Sequence, residues 1–328
     1  MNTVFDAGSE CAPAAAAVHP PVDLPETLYR THVLTCDQPD KSFAFDFMSD
    51  YLTMMDVLAK SIAHELDRVC GITPLQYRAM VRLLDVDEAA AGSLAHDLGV
   101  GASTVSTAVS KLVCRGLLER SESLSDMRTV HLALSDAGRA LVQHADAAVF
   151  ATMQEYWGSL TSEQFDAASR SSMNAVELHS HPRIEGGALR LDTALVDTVM
   201  ISRMLTSRAL QAYGLAVGDF RVMLALRVMG GSDTSAAIAQ FLFLNSSDIT
   251  SCLKNLEARG FITRSRSDAN RRIRSVTLTD AGTGELSRLM PVVFDALHET
   301  CHSDDELIRI HISAARDLVA RKRQRSEF

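Results

Sequence analysis

Five arginines are concentrated in one short segment of the C-terminal half of the chain: Arg264, Arg266, Arg271, Arg272 and Arg274. Asp268 is the only carboxylate between the first and the last of them. A guanidinium is always charged, and its planar fork suits phosphate oxygens and a narrow minor groove. The pattern therefore predicts that this segment binds nucleic acid.

A predicted helix upstream of these arginines carries a face of small polar side chains. Hydroxyl, amide and ammonium groups on such a face bond to phosphates and base edges. The candidates for DNA contact on this helix are Ser246, Ser247, Thr250 and Lys254. Because serine and threonine also cap helix N-termini, capping alone is the alternative interpretation of this face.

The chain contains this region twice. Leu94 corresponds to Ile238 and Gly138 to Gly282, each 144 positions later and without a gap. A period of this length indicates a duplicated domain rather than a solenoid of small repeats. The equivalent helix of the first copy supplies the candidates Ser103, Thr104, Ser106, Thr107 and Lys111.

The arginine-rich segment has a weaker counterpart in the first copy. Arg120 and Arg128 lie there among Glu119, Glu122 and Asp126. The formal net charge of the chain is −9, but the local field decides whether a surface attracts nucleic acid. We therefore expect the two copies to contribute unequally to binding.

Hydrophobic periodicity predicts the helices that position these side chains. A long helix covers about 42–69, and Thr73 before Pro74 caps a second helix that extends to about Val86. Two short helices with a glycine-containing turn between them follow, Ala91–Leu98 and Ala102–Arg115. This pair has the outline of a helix-turn-helix.

A β-hairpin is predicted after the helix-turn-helix, with strands Leu117–Arg120 and Arg128–Leu134. Ser135-Asp136 then caps a long helix to about Trp157, and another helix extends to about His179. A helix-turn-helix followed by a hairpin forms a winged helix, whose second helix enters a major groove. The second copy repeats the order with helices over 191–213, 218–228, 235–242 and 246–259, a hairpin over 261–278, and helices over 280–300 and 304–321.

Length and composition allow two hydrophobic cores. The chain has 328 residues, of which 47% are hydrophobic. Its first part has an alanine run, several prolines and no periodicity, which is typical of disorder. We expect a disordered arm over 1–41, a first domain over 42–181, a linker over 182–188 and a second domain over 189–328.

The sequence also indicates a compartment. No apolar run reaches the ~20 residues that span a bilayer, and the N-terminus lacks the basic and apolar regions of a signal peptide. The 6 cysteines are scattered without CxxC spacing, which fits a reducing environment. We therefore expect a cytoplasmic protein without a membrane partner.

Three short motifs occur in the same order in both copies. The first copy has Arg115-Gly116-Leu117-Leu118-Glu119-Arg120, Asp126-Met127-Arg128 and Leu134-Ser135-Asp136-Ala137-Gly138. The second has Arg259-Gly260-Phe261-Ile262, Asn270-Arg271-Arg272 and Leu278-Thr279-Asp280-Ala281-Gly282. Together with the long first helix and two closing helices, this order resembles the MarR family of transcriptional regulators. The resemblance covers nearly all of the chain after residue 42.

The resemblance implies a mainly α-helical fold with small β-hairpin wings, built from duplicated winged helix-turn-helix domains. Family members are homodimers with interlocked terminal helices, so a chain with both copies is expected to form an intrachain pseudo-dimer. A homodimer of chains stays open as the alternative. In the family a wing arginine enters the minor groove and a wing acid braces it. These roles fall on Arg128 and Arg272, and on Asp126, while Asn270 departs from the acid.

The expected partner is double-stranded DNA with a pseudo-palindromic operator and unequal half-sites. Relatives often act as repressors that release DNA on binding a phenolic or aromatic effector between the helical region and the winged helix. By resemblance, the candidate effector-binding residues are Tyr77, Met80, Tyr213 and Phe220. The alternative interpretation of these side chains is an ordinary hydrophobic core.

Some residues also fit other functions. Cys70, Cys114 and Cys252 raise the possibility of a redox-sensing regulator, although nothing nearby clearly lowers a thiol pKa. A partner-binding or anti-repressor module would explain the acidic first copy. His298 and His302 lack the further ligands of a zinc site, and no phosphate loop or nucleophile elbow occurs. We therefore predict no catalytic residues, no metal and no cofactor.

Overall fold

The computed structural model describes residues 41–84, 86, 88–122, 130–158, 160–180, 191–266, 274–300 and 315–324. The predicted arm up to residue 40, the linker and the tips of both hairpins lie outside the described residues. The described part of the chain is mainly α-helical, with two small antiparallel sheets. The predicted fold class is confirmed.

In the first copy the elements follow the predicted order. They are α1 (Lys41–Cys70), α2 (Pro74–Arg82), β1 (Ala89–Ala90), α3 (Ala91–Asp97), α4 (Ala102–Cys114), β2 (Leu118–Glu122), β3 (Val130–Leu134), α5 (Asp136–Trp157) and α6 (Ser162–Ser180).

The second copy repeats this order. Its elements are α7 (Leu191–Gln211), α8 (Val217–Val228), β4 (Ser232–Thr234), α9 (Ser235–Leu242), α10 (Ser246–Ala258), β5 (Ile262–Arg266), β6 (Arg274–Leu278) and α11 (Asp280–Thr300), and a further helix, α12, covers 315–324. The bounds of α10, β5 and β6 equal those of α4, β2 and β3 after a shift of 144 positions. The duplication read from the sequence is therefore a duplication of structure.

Some predicted helix ends were wrong. α2 ends at Arg82 rather than Val86, because Leu83 leaves helical geometry and its N–H bonds to the Met80 carbonyl at 3.1 Å. α7 ends before Tyr213, whose N–H bonds to the Leu210 carbonyl at 3.0 Å. Both helices thus close with a tighter turn that periodicity does not reveal.

Each hairpin gains a third strand that the sequence did not predict. The sheet orders are β1-β3-β2 and β4-β6-β5, all antiparallel. β1 pairs Ala89 with Leu132, and β4 pairs Ser232 with Thr277. Strands of two or three residues are too short for an alternating pattern, yet they attach the first helix of each helix-turn-helix to its hairpin.

The motif Leu-Ser/Thr-Asp-Ala-Gly has a local structural cause. Ser135 Oγ donates to the Gly116 carbonyl at 2.7 Å and accepts from the Gly138 N–H at 3.0 Å. Thr279 makes the same two bonds in the second copy, at 2.8 and 3.0 Å. A Cβ on Gly138 would lie 2.2 Å from the Leu117 carbonyl oxygen. Only glycine therefore lets the next helix approach the hairpin so closely.

One hydrophobic core extends through both copies. α1 packs against α5 of its own copy and also against α7 and α8 of the second copy, and α6 packs against α7. The two copies are therefore interlocked as an intrachain pseudo-dimer. Among the helices that the structure describes, none combines the length and apolar character required to cross a membrane.

Candidate nucleic-acid interface

The helix α4 has one buried and one exposed face. Val105, Val109 and Leu112 are buried in the core. Residues three or four positions apart share a helix face, so these three determine which side chains point outward. The predicted contact residues are all exposed: Ser103, Thr104, Ser106, Thr107 and Lys111.

The helix α10 has the same arrangement. Ile249, Leu253 and Leu256 are buried, and Asn245 caps the helix by accepting from the Asp248 N–H at 2.8 Å. The predicted contact residues are exposed here too: Ser246, Ser247, Thr250 and Lys254. Both copies therefore present a polar helix face at the same position of the winged helix.

Two threonines on these faces donate their hydroxyl protons to carbonyls of their own helix. Thr107 Oγ1 donates to the Ser103 carbonyl at 3.0 Å, and Thr250 Oγ1 donates to the Ser246 carbonyl at 2.6 Å. In this rotamer each oxygen can only accept a further bond. A cytosine or adenine amino group is such a donor, whereas a phosphate is not.

The charges of the two winged helices are distributed in opposite ways. α4 contains Lys111 and no carboxylate, whereas α10 contains the exposed Asp248 and Glu257. The hairpins reverse this order, because β2 carries the exposed Glu119 and β5 carries arginine. The second copy therefore has the more basic hairpin, as predicted, but the more acidic helix. The acidic character of α10 relative to α4 was not predicted from the sequence.

Arg264 is partly held by its own copy. Its Nε lies 3.2 Å from Glu257 Oε2, and its side chain is 21% exposed. Arg266 and Arg274 lie opposite each other in the β5–β6 register, at the end nearest the hairpin tip. The remaining predicted wing residues lie outside the described part of the chain: Asp126, Arg128, Arg271 and Arg272.

The arginine of the Arg-Gly motif joins α4 and α10 to the long helices. Arg115 Nη2 donates to the Cys70 carbonyl at 2.9 Å, and Arg259 Nη2 donates to the Tyr213 carbonyl at 3.1 Å. A cation at a helix C-terminus is also favoured by the helix dipole. These bonds fix the end of each polar helix. Their signal in the sequence was the repeated motif itself.

The polar face of α4 borders two open cavities of about 400 and 490 Å³. Thr73, Gln76 and Lys111 line both of them, and Ser103 and Thr104 line the smaller one. The N-terminus of α2 and the predicted contact residues of α4 therefore surround one concave region.

The predicted effector-binding residues lie elsewhere. Tyr77, Met80 and Phe220 are completely buried, and the Tyr77 hydroxyl bonds to Asp146 Oδ1 at 2.8 Å. Tyr213 is half-buried, with the Arg288 guanidinium 4.5 Å from its ring centroid. None of the four lines the two cavities beside α4. Their role in effector binding stays a prediction.

Two of the candidate redox cysteines have thiol pKa values above the ordinary value. Burial and the adjacent Asp219 carboxylate raise the pKa of the Cys252 thiol to about 12. Burial also raises the pKa of the Cys70 thiol. Since the thiolate is the reactive form, both are poor targets for oxidants. Within the described ranges, no three His, Cys, Asp or Glu side chains are grouped to hold a metal ion.

Comparison with known proteins identifies both copies. A MarR family model matches residues 72–130, and a second MarR family model matches residues 213–273. The chain carries two MarR-type domains in tandem. It is a MarR family transcriptional regulator with winged-helix DNA-binding domains.

Among solved structures, YusO from Bacillus subtilis is 19% identical, and the match covers 43% of this chain and 99% of that protein, with a TM-score of 0.36. BpsR from Bordetella bronchiseptica, whose structure concerns regulation of DNA binding by 6-hydroxynicotinic acid, is 19% identical over 42% of this chain and 94% of that protein (TM-score 0.35). AbsC from Streptomyces coelicolor is 16% identical, and the match covers 32% of this chain and 72% of that protein, with a TM-score of 0.31. None of the curated proteins matches the chain.

Proposed function

We propose that this MarR-type regulator is a ligand-responsive repressor that binds one pseudo-palindromic operator through two unequal winged helices. The observation that carries the proposal is the pair of exposed polar faces on α4 and α10, set on a body in which the two copies interlock. A major groove about 12 Å wide admits one helix, and paired winged helices engage successive grooves about one helical turn apart.

The proposed division of labour follows from the charges. The neutral-to-basic face of α4 tolerates close approach to phosphates, whereas α10 carries Asp248 and Glu257 near its contact face. The second copy therefore relies more on its basic hairpin, with Arg271, Arg272 and Arg274. Arg128 and Asp126 serve the first hairpin. Unequal half-sites in the operator are the expected consequence.

The proposed effector is a small aromatic or phenolic compound, as 6-hydroxynicotinic acid is for BpsR. Tyr77, Met80 and Phe220 can contact such a compound only if the surrounding helices separate, because all three are completely buried. An effector that stabilises the separated arrangement would shift the winged helices and release DNA. The proposal places the protein in the cytoplasm, as a single-chain pseudo-dimer.

Binding to the DNA upstream of the protein's own gene tests the proposal. Fluorescence anisotropy over a salt series would compare the wild type with Arg128→Ala, Arg272→Ala, Lys111→Ala and Lys254→Ala. Selective binding with a steep salt dependence is expected, and each lost phosphate contact should reduce the slope by about 1. Glu65→Gln on α1 is a control, since Glu65 pairs with Arg68 on the same helix.

Two other results would redirect the interpretation. Weaker binding by Arg272→Ala and Lys254→Ala alone would show that only the second copy binds DNA. Folded protein that shows no selective binding at low salt, with or without aromatic acids, would contradict the repressor and favour a partner-binding module.

A further inference from the structure

Each copy has one arginine, at an equivalent position, that connects its winged helix to the opposite copy. Arg78 on α2 donates to the Leu98 carbonyl at 3.2 Å, directly after α3, and forms an ion pair with Asp197 on α7. Arg221 on α8 is its counterpart, because Tyr77 precedes Arg78 as Phe220 precedes Arg221. The first winged helix is therefore attached to a long helix of the second copy.

The second connection has the same form. Arg221 Nη2 donates to the Leu242 carbonyl at 2.9 Å, at the end of α9, and its Nη1 lies 2.9 Å from Asp56 Oδ2 on α1. Leu242 lies 144 positions after Leu98, so the two arginines bind the same point of the two helix-turn-helix units. The side chains of Arg78 and Arg221 are 6% and 3% exposed.

A second arginine of α2 doubles the first connection, whereas in the second connection Asp56 also pairs with Arg203 of α7, 2.9 Å away. Arg82 Nε lies 2.6 Å from Asp97 Oδ2 on α3, and Arg82 Nη2 lies 2.6 Å from Asp197 Oδ2. All three side chains are nearly or completely buried, with exposures of 4% for Arg82 and 0% for both aspartates. A network of two arginines and two aspartates thus joins α2, α3 and α7.

The second copy has different residues at these positions. Ala225 follows Arg221 at the distance at which Arg82 follows Arg78, and Phe241 precedes Leu242 as Asp97 precedes Leu98. Phe241 is covered instead by Arg323 of α12, whose guanidinium lies 3.8 Å from the ring centroid. Arg323 pairs with Asp50 of α1 at 3.3 Å, and its side chain is 29% exposed.

The contacts that accompany the two connections differ in burial, because Arg82 and Asp97 are 4% and 0% exposed whereas Arg323 is 29% exposed. Displacing α3 from α7 would leave buried charges without partners, and an unpaired buried charge is strongly unfavourable. Displacing α9 from α12 exposes one arginine that water already reaches. On this ground we expect the first winged helix to be held more firmly than the second.

We propose that each DNA-binding unit is positioned by the opposite copy: Asp197 positions α3 and α4 through Arg78 and Arg82, and Asp56 positions α9 and α10 through Arg221. The doubled first connection keeps one winged helix fixed, while the second adjusts to its half-site. Neither aspartate contacts DNA in this scheme. The consequence for DNA rests on the proposed function, but the positioning itself is a property of the free protein.

Hydrogen exchange of the free full-length protein, measured by mass spectrometry, tests the positioning. In the wild type, amides of α4 should exchange more slowly than those of α10. Asp197→Asn, a change in the second copy, should accelerate exchange in α4 by about tenfold and leave α10 unchanged, because local opening sets the exchange rate. Asp56→Asn should do the reverse, and Glu65→Gln should change neither helix.

A second variant keeps the test decisive if Asp197→Asn does not fold. Arg82→Ala with Asp97→Phe gives the first copy the residues that the second copy has, and retains the Arg78–Asp197 pair. Exchange in α4 should then approach that in α10. Equal exchange of α4 and α10 in the wild type, or changes confined to the copy that carries the substitution, would overturn the proposal.

DNA binding separates this inference from the proposed function. Base-pair substitutions in each half-site of a bound operator should show that Arg82→Ala with Asp97→Phe lowers discrimination in one half-site only. If a substitution in one copy changes hydrogen exchange in the other copy but the protein does not bind DNA, the positioning is supported and the repressor function is refuted. If the protein binds DNA selectively but each substitution changes hydrogen exchange only in its own copy, the repressor function is supported and the positioning is refuted.

Discussion

Gly282 is the residue whose substitution gives the sharpest test of how the hairpin is attached to the following helix. A Cβ at this position would lie 2.2 Å from the Phe261 carbonyl oxygen, 2.9 Å from Leu278 Cδ1 and 3.0 Å from the Phe261 carbonyl carbon. Two of these three atoms belong to the backbone, so no side-chain rotation relieves the contact. In Gly282→Ala, α11 and Phe261, the residue before β5, must separate by about 1 Å to regain van der Waals contact.

The magnitude follows from two opposing effects. Overpacking of this kind costs about 1–3 kcal/mol. Alanine in place of glycine in a helix contributes about 0.5–1 kcal/mol in the other direction. Gly284 provides the matched control, because it lies in the same helix and a Cβ there meets nothing within 4 Å. The helix-propensity gain is common to both variants and cancels, so Gly282→Ala should be less stable than Gly284→Ala by the overpacking cost alone, about 1–3 kcal/mol.

Urea-induced unfolding, followed by circular dichroism, measures this difference. The Thr279 Oγ1 bond to the Gly282 N–H, 3.0 Å long, should be lost with the separation. Since the same geometry occurs at Gly138, the substitution Gly138→Ala should behave like Gly282→Ala. Equal unfolding midpoints for Gly282→Ala and Gly284→Ala would refute the close-approach argument and leave the motif without this explanation.

Three further results are expected. Lys111→Ala should weaken operator binding and lower the salt slope by about 1, and an unchanged slope would remove Lys111 from the phosphate contacts. A thiol reagent at pH 8 should modify the exposed Cys114 before Cys252, whose pKa is raised to about 12, as peptide mass spectrometry would show. The Arg221 and Lys60 charges outweigh burial and lower the pKa of Asp56. The ion pairs of Asp56 therefore stabilise the fold at pH values above the ordinary pKa of 3.8, and this contribution is lost as the pH falls below 3.8. In Asp56→Asn, the free energy of unfolding should fall less steeply with decreasing pH in that range.

The order of elements could be predicted because each has a local signal. α4 and α10 show apolar residues three and four positions apart, and Thr73 with Pro74 marks the start of α2 by an N-cap bond that the structure contains. β1 and β4 gave no such signal, since strands of two and three residues depend on the neighbouring hairpin for their hydrogen bonds. The MarR resemblance was also predictable, because its motifs follow one another at fixed spacing.

The roles of individual arginines were less predictable. Arg264 was expected to face nucleic acid, and the structure pairs it with Glu257 one element earlier. Arg115 and Arg259 fasten helix ends through backbone carbonyls more than 40 residues earlier in the chain. A sequence shows that an arginine is present, but its partner depends on which groups the fold brings within hydrogen-bond distance.

Three properties could be inferred without any coordinates: the duplication of the chain, the winged helix in each copy, and the outward faces of α4 and α10. These properties arise from periodicity, capping and repeated motifs, which act over a few residues. The pairing of Arg78 with Asp197, 119 positions away, and of Arg221 with Asp56 became visible only in the three-dimensional fold. Such pairs form because the long helices of the two copies cross in the shared core, and the chemistry of a charged side chain does not encode which helix will lie beside it.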